Sequence, residues 1–125
     1  GVSQAGNITI QGEGTKETNL QQGLCKAWVS FTQSDNTIVG SFNVSSQSDD
    51  AAGRTTTNFN NDFSNAGYSF VGQVFDGGGA NDARTLNHDA DADTYSASAL
   101  KYYSWNGSAL DDAFRFFGQF MGDLA

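Results

Sequence analysis

Three aspartates, Asp89, Asp91 and Asp93, recur at every second position after His88, the sole histidine of the chain. On a strand that spacing sets three carboxylates on one face. In a loop the same residues could wrap a hard cation, and calcium is the cation that such oxygen donors hold. An EF-type loop starting at Asp89 would require Gly at its sixth position and Glu at its twelfth, where this chain has Thr94 and Leu100. A solvated acidic loop is the commoner explanation of such a run. Adjacent carboxylates also occur at Asp49/Asp50 and Asp111/Asp112. Sequence neighbours on a strand point to opposite faces, whereas glycoside hydrolysis needs two carboxyls converging across a substrate. A zinc site or a Ser-His-Asp triad would rest on His88 alone, and Cys25, the only cysteine, reads beside Leu24 and Ala27 as a small buried hydrophobe rather than a reactive thiol. Gly77-Gly-Gly79 lacks the Lys-Ser/Thr of a phosphate-binding loop. No catalytic residue and no cofactor is assigned, and the expectation is a non-enzyme.

The remaining candidates are aromatic. Tyr102, Tyr103 and Trp105 precede Asn106-Gly107, a strong tight-turn signal, and at a loop their rings could stack on a sugar. The alternative is that they are cross-strand pairs that stabilise a sheet without touching a ligand.

The elements that carry these residues read as strands. Ten Phe, four Tyr and two Trp supply large apolar side chains, and Gly, Asn, Asp, Ser and Thr crowd the segments between them. Period-two patterning recurs over residues 24–31, 37–46, 54–60, 68–75, 94–105 and 112–121, and no helical period is sustained in the first hundred residues. Cys25, Ala27, Val29 and Phe31 form one apolar row. Phe42 and Val44 are expected on one face, with Gly40 as a bulge or kink. A turn is expected over 49–53. Tyr68, Phe70 and Val74 share one face of their strand and Val71 and Phe75 the other. Residues 76–93 form a long connection or contain a short extra strand. In the last segment Phe114, Phe116 and Phe120 alternate with Arg115, Phe117, Gln119 and Met121. The expectation is an all-β fold, a compact antiparallel β-sandwich of jelly-roll or Greek-key type with seven to eight strands. Residues 1–19 form an arm or first strand, and residues 20–125 form a single sandwich domain.

Charge and length bound the function. With 125 residues the chain suits one domain able to bury a core. Six basic against fourteen acidic residues give a net charge of −8, which repels phosphate backbones and argues against nucleic acid as a partner. No apolar run reaches the roughly 18 residues of a membrane span, and no basic-then-apolar leader opens the chain, so neither membrane insertion nor secretion is expected. A single cysteine permits no intrachain disulfide. Apolar residues on both faces of the strands carrying Trp28, Val71, Phe75, Phe117 and Met121 exceed what one sandwich interior needs. They are expected at a subunit interface, the alternative being a larger core with scattered exposed aromatics.

An ordered set of motifs adds a family. Gln21-Gln-Gly-Leu-Cys-Lys-Ala-Trp-Val-Ser-Phe31, Ser41-Phe-Asn-Val-Ser-Ser46, Phe59, Tyr68-Ser-Phe-Val-Gly72 and Phe116-Phe-Gly118 follow in this order. The set resembles a domain of tail-fibre and other virion proteins of tailed phages, especially marine and cyanobacterial ones. Members typically read Lys-Ala-Trp-Val-Asn-Phe, Ser-Phe-Asn-Val-Ser and Tyr-x-Val-x-Gly, and the likeness runs from about residue 20 to the end. Ser30 departs from the usual Asn, the turn at Gly53 is looser, and residues 77–93 have no counterpart. The resemblance implies a non-enzymatic structural or adhesive β-domain of a virion. It further implies a homo-oligomer, a trimer above all, with other virion proteins and a host surface glycan as partners. The alternative is a small capsid-decorating or tail-decorating protein, which the lack of a long fibrous N-terminal region would favour.

Overall fold

The computed structural model describes residues 9–11, 17–19, 23–75, 77, 84–88 and 95–125. Its strands are β1 (Thr9–Gln11), β2 (Glu17–Asn19), β3 (Ala27–Phe31), β4 (Ile38–Phe42), β5 (Val44–Ala51), β6 (Arg54–Phe59), β7 (Ser69–Phe75), β8 (Thr85–His88), β9 (Ala99–Trp105) and β10 (Arg115–Met121). β1 and β2 pair with each other. The other eight form two antiparallel four-stranded sheets, ordered β4-β3-β10-β7 and β5-β6-β9-β8. The fold is thus the all-β sandwich that the alternating pattern implies. Three sequential hairpins, β3–β4, β5–β6 and β8–β9, supply six strands, while β7 and β10 cross from the second sheet to pair side by side in the first.

The inward rows follow from period-two alternation. Ala27, Val29 and Phe31 of β3 are buried, as are Phe116 and Phe120 of β10 and, across the sandwich, Thr55, Thr57 and Phe59 of β6 and Leu100, Tyr102 and Ser104 of β9. Rings dominate this core. The Tyr102 ring stacks on Phe116 at 4.4 Å and on Phe70 at 5.7 Å, and Phe59 meets Phe120 edge-on at 4.9 Å. Gly72 and Gly118 face each other in the β7–β10 register. A Cβ on Gly72 would lie 2.5 Å from Leu86 Cδ2 and 2.7 Å from Phe70 Cζ, so the glycine leaves the room that those side chains occupy.

One buried polar side chain ties the sheets at one end. Gln33 follows β3; its Nε2 donates to Thr55 Oγ1 at 3.2 Å, and its Oε1 accepts from the Ala113 amide at 2.8 Å and the Ser104 hydroxyl at 2.9 Å. Buried polar groups are tolerated when satisfied in this way.

Four sequence expectations need correction. Residues 37–46 are two strands in different sheets rather than one. Asn43 breaks them with a left-handed φ of 55°, its Oδ1 accepts from the Asn61 amide at 2.7 Å, and its Nδ2 donates to the Asn61 carbonyl at 3.0 Å. Phe42 and Val44 therefore do not share a face: Phe42 is exposed, and Val44 packs on the core. The turn expected over 49–53 is confined to Ala52 and Gly53, because β5 runs on through Asp49 and Asp50. Phe114 precedes β10 and is exposed, so only Phe116 and Phe120 of that row reach the core. The extra strand in the long connection is β8, which places His88 at a strand end with its ring edge-on to Tyr95 at 5.1 Å.

Candidate functional site

The two outer faces of the sandwich differ in kind. On the β4-β3-β10-β7 sheet, register alternation turns outward Phe42 and Gly40 of β4, Trp28 and Ser30 of β3, Arg115, Phe117, Gln119 and Met121 of β10, and Ser69, Val71, Gln73 and Phe75 of β7. Phe42, Trp28, Gln119 and Val71 form one cross-strand row, and Gly40, Ser30, Phe117 and Gln73 the next. All five residues expected at an interface lie on this one face. Their exposures are 41% for Trp28, 62% for Val71, 55% for Phe75, 47% for Phe117 and 38% for Met121. Outward residues of a solvated sheet are normally polar.

Local packing shapes the surface. Gly40 lets the Trp28 ring lie down over β4, since a Cβ there would come within 3.3 Å of the indole. A bulge opposite Ser30 and Phe31 turns Val39 outward beside it. At the far end Phe114 meets Phe75 edge-on at 6.3 Å, with the Arg115 guanidinium 5.7 Å from the Phe114 ring centre. A shallow depression of about 830 Å³ lies around Phe117 and Gln119, reaching Trp28 on one side and Val71 and Gln73 on the other. Sequence reasoning left out Phe42, Val39 and Phe114. For Phe42 the available signal was the Asn that follows it, a residue type enriched in left-handed conformations.

The outer face of the β5-β6-β9-β8 sheet is polar. Asn58 Nδ2 donates to Ser46 Oγ and Ser48 Oγ at 3.1 Å each, and Thr56 Oγ1 donates to Asp50 Oδ2 at 2.6 Å. Lys101 Nζ lies 3.8 Å from the same carboxylate oxygen. Tyr103 sits in register between Arg54 and Asn87, and Trp105 lies opposite Thr85 with part of its indole exposed. Two of the three aromatics considered for ligand reading therefore share this face. The third does not. Tyr102 is fully buried, its hydroxyl bonded to Thr57 Oγ1 and donating to Gln47 Oε1 at 3.1 Å. Strand alternation sends it to the core, where burial pushes its pKa far above the ordinary tyrosine value. Burial raises that of Tyr68 too, with the neighbouring Tyr95 hydroxyl adding to the effect.

The carboxylates serve the fold. Asp112 Oδ1 accepts from the Gly53 amide at 2.6 Å, and Asp111 Oδ2 pairs with Arg84 at 2.9 Å. The Cys25 thiol is half-buried and directed at the Ala27 carbonyl at 2.9 Å. Asp89, Asp91 and Asp93 lie outside the described residues. Among the described residues no three His, Cys, Asp or Glu side chains gather as a metal site, and no helix is long and apolar enough to cross a membrane. Compared with family models, curated proteins and solved structures, the chain matches none of them.

Proposed function

We propose that this chain is a non-enzymatic β-sandwich module of a phage virion, carried by a tail fibre or similar appendage, that works in assembly and in attachment to the host surface. The observation that carries the reading is the aromatic outer face of the β4-β3-β10-β7 sheet. An exposed contiguous apolar patch of this extent marks a contact surface, and here Trp28, Phe42, Val71 and Phe117 of the motif set stand at its centre. In the Lys-Ala-Trp-Val-x-Phe stretch Ala27, Val29 and Phe31 fill the core, while Trp28 stands on the face in register with Phe42 of the Ser-Phe-Asn-Val-Ser stretch. The motifs thus encode a core row and a contact row together. The opposite face, with Tyr103 and Trp105 among hydroxyls, amides and Arg54, is the side whose chemistry suits a host glycan.

Immunogold labelling and quantitative mass spectrometry of purified particles test this. Labelling at tail appendages, in a few copies per particle, is the expected result. Absence from the particle overturns the proposal, and hundreds of copies on the shell replace it with the decoration role.

A further inference from the structure

We infer that the aromatic face of the β4-β3-β10-β7 sheet is covered by a second copy of this chain. This rests on the assembly role proposed above and names its partner.

Charge supports self-pairing. The chain holds fourteen acidic residues, yet no Asp or Glu occupies any outward strand position of this face, whose charged strand residue is Arg115. Two copies of a strongly acidic chain associate only where their carboxylates stay apart. The other outer face places Asp50 on its surface, so the two faces are not equivalent for this purpose.

Area supports it as well. Trp28, Phe42, Phe75, Phe114 and Phe117 are each about half exposed. Side chains of this type present about 150–250 Å² each, so the rings alone leave on the order of 500 Å² uncovered. A stable pairing buries roughly 800 Å² per partner, and Val39, Val71, Met121 and the two glutamines supply the balance.

The edge beside the face points the same way. Natural edge strands are blunted by charges, bulges or brevity. β5 carries Asp49, Asp50 and two register breaks, β4 carries a bulge, and β8 has four residues. β7 spans seven residues, pairs among the described residues only with β10, and carries no charge and no register break.

Analytical ultracentrifugation of the full chain, from micromolar to hundreds of micromolar, tests the inference. The expected result is a reversible oligomer of integral mass that tightens as salt rises, because the net charges repel. Val71→Lys and Phe117→Glu should each weaken it at least tenfold with unchanged far-ultraviolet circular dichroism, and Ser48→Lys on the opposite face should leave it intact. A chain that stays monomeric overturns the inference, whether residues 1–19 or another protein then cover the face. So does an oligomer that Val71→Lys and Phe117→Glu leave intact. Neither result touches the location on the particle, which the labelling experiment decides separately.

Discussion

Tyr102 and Tyr103 are alike in chemistry and adjacent in sequence, and strand alternation gives them opposite fates. Row 100, 102, 104 reads Leu, Tyr, Ser and row 101, 103, 105 reads Lys, Tyr, Trp, so apolarity alone does not say which row is core. Lys101 was the legible signal, since an ammonium is almost never fully buried unpaired. What the sequence withheld was Thr57 and Gln47, the partners from other strands that make a buried tyrosine hydroxyl affordable. Two predictions belong to this scale. Tyr68 and Tyr102 have pKa values raised by burial over an unfolded value of about 10. Below about pH 10 folded and unfolded chains both keep these protons, so the two groups add no pH dependence; above it the unfolded chain releases them first, so stability falls as pH rises. A urea midpoint that drops steeply above pH 10, and less steeply in Tyr102→Phe, is the expected outcome. The second contrasts two core residues, Phe116 and Val29, with Trp28, the neighbour of Val29 in the first motif. Phe116→Ala and Val29→Ala should each lower unfolding free energy by about 2–5 kcal/mol, Phe116 the more, whereas Trp28→Ala should cost less than about 1.5 kcal/mol and act mainly on association. Denaturant unfolding beside sedimentation separates the two effects.

The elements were legible where both faces had a distinct character and illegible where the chain changes sheet. β3, β6, β7 and β10 follow from alternation, but nothing in a period-two pattern says that Phe42 and Val44 belong to different sheets. That information resides in one backbone conformation, the left-handed Asn43, and in its side-chain bonds to Asn61 on the far side of the β5–β6 hairpin. Asn43→Ala should therefore lower stability by about 1–3 kcal/mol, since it gives up those bonds and puts alanine, which lacks asparagine's tolerance of the left-handed region, at that φ. Gly53 is a stricter corner. Its φ is 69°, and a Cβ there would lie 2.5 Å from the Asp111 amide nitrogen and 2.9 Å from the Ser104 carbonyl oxygen, both main-chain atoms that cannot step aside. Gly53→Ala should cost more than Asn43→Ala, with thermal unfolding of the pair as the check. The sequence marked Gly53 as a turn residue, while the approach of the Asp111 segment, fixed by Asp112 holding the Gly53 amide, is a contact between residues 59 positions apart.

For the molecule as a whole, acidity and the patterning of two sheets determine how it meets others: one outer face polar and hydrogen-bonded within itself, the other aromatic and free of carboxylates along its strands. The surplus of apolar residues was visible in the sequence; that Trp28, Val71, Phe75, Phe117 and Met121 converge on a single surface was not, because it depends on β10 lying between β3 and β7. That placement reaches beyond the finished structure. Phe116 pairs with Phe31 and with Val74, so the aromatic sheet stays divided into a β3–β4 hairpin and a lone β7 until the final strand arrives. A ribosome releases β3 long before β10, and closing so distant a pairing is slow compared with local hairpins. A nascent chain thus exposes the β3–β4 half of a sticky surface for the time it takes to make some eighty further residues, and the unjoined β7 half for about forty. Slower synthesis or added chaperone should then raise the yield of folded protein at unchanged equilibrium stability.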